Sequence, residues 1–126
     1  MDFLLIGLGS ALGGMLRFFL GEHLPTFRNF PCGIFFVNVS GCLLIGILAA
    51  WGSATGLSTS MRRTLMTGFL GGYTTFSAFS LETFELWTQQ HKALAGIYVL
   101  STVTCCLVAV AVGYWIGRQL SPEVAR

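Results

Sequence analysis

The amino-acid sequence predicts an all-α membrane protein of four transmembrane helices with a break in the third, on three observations. The 126-residue chain is 54% hydrophobic and only 10% charged, with a mean hydropathy of +0.75, outside the usual soluble range. Four long apolar runs are separated by three short segments that hold nearly all the proline, charge and turn residues. Inside the third run two adjacent glycines, Gly71 and Gly72, come just before two β-branched threonines, Thr74 and Thr75, which makes a poor helix interior. By length the chain is one domain, residues 1–126.

The first run, residues 3–21, is apolar apart from Ser10 and Arg17. Asp2 precedes it with no basic segment, which argues against a cleaved signal peptide. The second run (33–52), the third (64–81) and the fourth (93–117) carry no charge. Each is close to the roughly 20 helical residues that cross a hydrocarbon layer. Residues 23–32, 53–63 and 82–92 read as the connections, so Glu22, Glu82 and Glu85 fall at span ends.

An even number of spans puts both termini and the second connection on one side. Arg62, Arg63, Arg118 and Arg126 then share a face, with Arg28 and Lys92 opposite and Arg17 able to snorkel toward them. Four cations against three is a weak orienting bias, which permits insertion in both directions; a single orientation with both termini cytoplasmic is the simpler alternative. Small residues recur at a spacing of four as Gly9 with Gly13, Gly68 with Gly72, and Gly113 with Gly117, so helix backbones can approach closely, within or between subunits.

The polar residues exclude several functions. A net charge of +2 is too small to attract nucleic acid. No base is placed to activate a serine or threonine, so an enzyme is not indicated. Cys32, Cys42, Cys105 and Cys106 lack zinc spacing, and three of them lie in apolar runs where a thiol packs as a small hydrophobe.

What the spans do offer is neutral hydrogen-bond donors: Asn38 in the second, Thr74, Thr75, Ser77 and Ser80 in the third, and Tyr98, Ser101, Thr102 and Thr104 in the fourth. Such donors suit an anion that sheds water, although Asn38 could equally make an interhelical hydrogen bond. Phe76 and Phe79 stand three apart just after the break, where their positive ring edges can face an anion; packing alone explains most of the eleven phenylalanines. Tyr98, Thr102 and Cys106 fall at steps of four, a candidate polar stripe. A mid-membrane break leaves backbone groups that protein, water or an ion must satisfy, so it is a candidate ion site.

Residues 68–80, with Gly13-Gly14-Met15-Leu16-Arg17 in the first helix and Val37-Asn38-Val39-Ser40-Gly41 in the second, resemble the Fluc (CrcB) fluoride channel family over essentially the whole chain. The Gly-Gly-x-Thr-Thr-Phe-Ser-x-Phe stretch at residues 71–79 is the specific element. The resemblance implies an antiparallel homodimer of dual-topology subunits in a bacterial inner membrane, with two fluoride pores lined by both chains and one central structural sodium ion. It places Phe76 and Phe79 as an aromatic box, Asn38 as a pore-lining donor, and Tyr98 and Thr102 at the start of a hydroxyl track. Ser77 and Ser80 could add hydroxyls, because the third track position here is a thiol, Cys106. Arg17 would lie at a vestibule, and the Gly71 and Thr74 carbonyls would hold sodium.

Two other classes share the hydrophobic pattern. A small dual-topology multidrug or cation exchanger should carry a membrane-embedded carboxylate, and none of the four runs contains one. A non-transporting membrane assembly subunit would need only glycine-mediated helix contacts.

Overall fold

The structure is a computed structural model that describes residues 1–120, so Arg126 lies outside the described residues. In chain order the elements are α1 (Asp2–His23), α2 (Cys32–Ala54), α3 (Thr59–Arg62), a π-helical segment π1 (Arg63–Leu70), α4 (Gly71–Tyr73), α5 (Phe76–Thr88) and α6 (Lys92–Gln119). Three of them, α1, α2 and α6, are long and apolar enough to cross a membrane.

The third apolar run does not form a single long helix. It is divided among π1 (8 residues), α4 (3 residues) and the start of α5 (13 residues). Gly71 and Gly72 stay helical, and it is Thr74 (φ −81°, ψ 157°) and Thr75 (φ −152°, ψ 122°) that are extended, the backbone their β-branched side chains favour. Thr75 then caps α5, its Oγ1 accepting from the Ala78 N–H at 3.2 Å.

α5 also runs further than the hydropathy suggests. It carries Glu82 in its middle and ends at Thr88, where Gln90 takes a left-handed conformation (φ 68°). The expected connection over 82–92 therefore shrinks to Gln89–His91, and Glu82 and Glu85 lie inside helix α5. Between α1 and α2, Arg28 and Asn29 both have positive φ, and Phe27 and Phe30 exchange backbone hydrogen bonds of 3.3 and 2.9 Å around this tight turn.

The glycine pairs set the packing. A Cβ on Gly9 would stand 2.8 Å from the Thr64 carbonyl oxygen, and one on Gly68 2.8 Å from that of Ile6. At Gly13 and Gly72 it would collide with the Phe69 and Ser10 carbonyls. Gly113 and Gly117 seat α6 in the same way on Leu43 and Ile47 of α2. All three pairs thus act within one subunit. Contacts advance in the same direction along α1 with π1 and α4, and along α2 with α6, so each pair is parallel. Gly33 meets Gly21 where α2 returns against α1.

The end bearing the N-terminus is tied by Asp2, which accepts from Arg63 Nη1 at 2.9 Å and Ser60 Oγ at 2.8 Å. The other end is tied by Asn29 to His91 at 3.3 Å. Two small cores lie between the helices: Ile34, Phe79, Leu86, Ala95 and Tyr98 in one, and Val37, Leu70 and Tyr73 in the other. Large apolar side chains such as Phe3, Leu4, Phe18 and Leu100 point outward, as expected where lipid is the solvent and packing with interhelical hydrogen bonds replaces the hydrophobic drive.

Candidate functional site

The extended residues at Thr74 and Thr75 open the helical hydrogen-bond ladder, and a side chain from another helix closes part of it. Buried Asn38 accepts from the Thr75 N–H through Oδ1 at 2.8 Å and donates through Nδ2 to the Thr75 carbonyl at 3.0 Å. The carboxamide thereby replaces a neighbouring peptide group, and leaving Thr75 unpaired at that depth would be expensive. One Nδ2 hydrogen of Asn38 stays uncommitted.

In a continued helix the Thr75 N–H would bond the Gly71 carbonyl, and the Ala78 N–H would bond that of Thr74. Both donors go elsewhere, to Asn38 Oδ1 and Thr75 Oγ1, so the Gly71 and Thr74 carbonyls sit outside the ladder. Such oxygens fit a hard cation.

Around this point lies a cavity of about 300 Å³, walled by Asn38, Thr74, Thr75, Phe76, Phe79 and Thr102, with Cys42, Val103, Cys106 and Leu107 completing it. Phe76 and Phe79 have ring centroids 5.5 Å apart at 52°. Phe79 is 6% exposed and held from behind by Tyr98 at 5.3 Å, whereas Phe76 is 77% exposed at the rim. Thr102, only 4% exposed, has an Oγ1 with no hydrogen-bond partner. The Tyr98 carbonyl one turn back, the usual recipient for a helical threonine, takes the Ser101 hydroxyl at 3.2 Å instead. A hydroxyl left so costs about 1–3 kcal/mol unless something entering the cavity meets it.

Other residues singled out in the sequence lie apart from this cavity. Tyr98 is fully buried and donates to Glu82 Oε2 at 2.6 Å. Ser77 is exposed and shares a hydrogen bond of 3.1 Å with Thr75 Oγ1; Ser80 is exposed and donates to the Phe76 carbonyl at 2.8 Å. Arg17 lines a second cavity of about 320 Å³, between α1, α2 and α5, whose wall also includes Glu82. The cavity position of Cys106 rather than Cys105 fixes the rotation of α6, so Thr102 and Cys106 share a face. Cys42, missed in the sequence, lies one turn after Asn38, and that spacing was the available signal.

Replacing Tyr98 with phenylalanine keeps the ring contacts with Phe30 and Phe79 and removes the bond to Glu82. Thermal unfolding in detergent should show a loss of about 1–3 kcal/mol, and an unchanged midpoint would mean that the bond contributes nothing.

Long apolar helices seated on glycine contacts, with a small cavity of neutral donors and aromatic rings between them, define an integral membrane protein. The family model described as CrcB-like protein, Camphor Resistance (CrcB), matches residues 4–114. Fluoride-specific ion channel FluC 1 of Bradyrhizobium diazoefficiens is 43% identical over 124 residues, covering 96% of this chain and 84% of that protein. Fluoride-specific ion channel FluC of Coxiella burnetii (strain CbuK_Q154) is 42% identical over 95% of this chain and all of its own length. That of Paracoccus denitrificans is 43% identical, covering 94% of this chain and 95% of its own. The chain belongs to the CrcB-like family, the family of the FluC fluoride channels.

Proposed function

We propose that this chain is a passive, fluoride-selective channel of the inner membrane that lets fluoride leave the cytoplasm down its electrochemical gradient. One observation carries the proposal: the cavity gathers Asn38, Phe76, Phe79 and Thr102, all neutral, and two of them have hydrogen-bonding capacity to spare. An anion entering it gives up water and gains the free Asn38 N–H, the Thr102 hydroxyl and the positive ring edges of the phenylalanines. Fluoride, small and strongly hydrogen-bonding, is matched by such close-set groups; chloride is larger and meets fewer of them. Tyr98, Ser77 and Ser80 flank this cavity without lining it, and Arg17 is the cationic group of a second cavity whose wall also carries Glu22 and Glu82.

The working unit of the proposal is an antiparallel homodimer of dual-topology subunits with two pores. The exposure of Phe76 at the cavity rim supports it, since a second chain would complete that wall. Thr74 and Thr75 then form the break in a third span, made of π1 and α4 on one side and α5 on the other. Two chains would offer four carbonyls, from Gly71 and Thr74 of each, to a structural sodium ion, which would satisfy these oxygens and supply a fixed positive charge between the chains.

The phenylalanines give the test. Phe79→Ile should slow fluoride release from liposomes about tenfold, the scale of one lost ring contact. Unchanged rate and selectivity in both Phe79→Ile and Phe76→Ile would sink the aromatic part of the proposal. The exchanger alternative has one observation in its favour, the half-buried Glu82 inside α5. It requires a proton gradient to drive cation uptake into liposomes; the channel requires that no such coupling exist.

A further inference from the structure

Two of the four cysteines share the wall of the conduit cavity. Cys42 comes from α2 and Cys106 from α6, both are free thiols lining this cavity, and each stands one turn before Gly46 and Val110, which meet across the seam. The seam between these helices is held tight just beyond them, where Gly46 and Gly113 admit no side chain. Beside them the cavity holds the unpartnered Thr102 hydroxyl, one turn before Cys106 and 4% exposed. No group of three or more His, Cys, Asp or Glu side chains placed to hold a metal exists among the described residues, so a soft metal here finds two thiols and no third ligand of that kind.

We propose that Cys42 and Cys106 form a two-thiolate site for a soft cation that prefers linear coordination, of the Hg(II) class, and that its occupation closes the conduit. Two sulfur ligands without carboxylate or imidazole select a soft, two-coordinate ion over zinc, which needs four ligands. Charge selects the divalent ion: two S–H bonds break, two S–Hg bonds form, and two protons leave to water, giving a neutral complex with no electron transferred. A monovalent soft ion would leave a net negative charge in a poorly hydrated wall, which is costly. Closure rests on the channel reading; the metal site does not.

The experiment uses the full-length protein with Cys32 and Cys105 both replaced by serine, loaded with Hg(II) and washed with excess monothiol. A chelate held by two sulfurs survives that wash because the second bond re-forms at high effective concentration, whereas a single Hg–S bond exchanges. One mercury per chain should remain, and adding Cys42→Ser or Cys106→Ser should cut retention by about tenfold or more. Complete stripping of the protein that retains both thiols, or equal retention after either replacement, would overturn the site. In liposomes the same loaded protein should lose fluoride release and regain it with a dithiol. Retained mercury with undiminished release would overturn closure; retained mercury in a protein that never released fluoride would leave the site standing and defeat the channel reading.

Discussion

Gly113→Ala is expected to yield little or no stably folded protein. Its new methyl group would collide with the Leu43 carbonyl oxygen, a backbone atom that no side-chain rotation can move aside. The α2–α6 seam would have to open, and with it the wall that carries Asn38, Cys42, Thr102 and Cys106. Overpacking of this kind costs about 1–3 kcal/mol where neighbours can relax, and a rigid backbone contact falls at or above that range. Gly96→Ala on the same helix is the control, because nothing lies within 4 Å of the added carbon. There the alanine should be neutral or gain up to about 1 kcal/mol of helix propensity. Size-exclusion profiles and thermal unfolding in detergent compare the two; equal stability would mean that the helices are not in contact at Gly113.

Asn38→Ala has the second largest expected effect, because it removes the partner of the buried Thr75 N–H and one of the donors to its carbonyl. The Thr75 carbonyl keeps the first bond of α5, as an N-cap residue does, so the main cost is the buried Thr75 N–H left unpaired, roughly 1–3 kcal/mol unless water enters. Asn38→Asp separates the two halves of the interaction. The carboxylate still accepts from the Thr75 N–H but offers the Thr75 carbonyl a negative oxygen, so stability should fall and an anion should be repelled. Thermal unfolding and fluoride release are measured on the same preparations. Wild-type stability in both variants would show that Asn38 does not hold the extended threonines.

The three long helices were legible because length, hydropathy and the scarcity of charge all point the same way in residues 3–21, 33–52 and 93–117. Glycine spacing was legible as a packing signal, but not whether it served a subunit or a dimer; that depends on which carbonyl lies opposite, as Leu43 does for Gly113. The third run was harder. The sequence marked the glycines and the threonines after them together; Gly71 and Gly72 remain helical, and the extended residues are Thr74 and Thr75, the latter paired with Asn38 from 37 positions away. A long-range bond of that kind has no periodic signature. Glu82 shows the same limit: its charge ends the apolar run, but glutamate is a good helix former and α5 runs on to Thr88, and the bond its carboxylate accepts from Tyr98 of α6 has no signature in the run itself.

Within the site, Phe76, Phe79, Asn38 and Thr102 were all identifiable as residue types suited to an anion, and the structure sets them around one cavity. Ser77 and Ser80 have the same chemistry in sequence, but their helix positions direct them to exposed faces where local backbone and hydroxyl partners occupy them. The role of Cys42 depended on the rotation of α2 against α6, which composition does not reveal.

Ion release from liposomes carrying the purified, unmodified chain tests the central claim most directly, with fluoride and chloride followed by electrode after a potassium ionophore is added. Fast fluoride release with no chloride release above that of empty liposomes is the expected result. Retention of fluoride by a verified dimeric sample in sodium, or release of both ions alike, would contradict a fluoride-selective conduit.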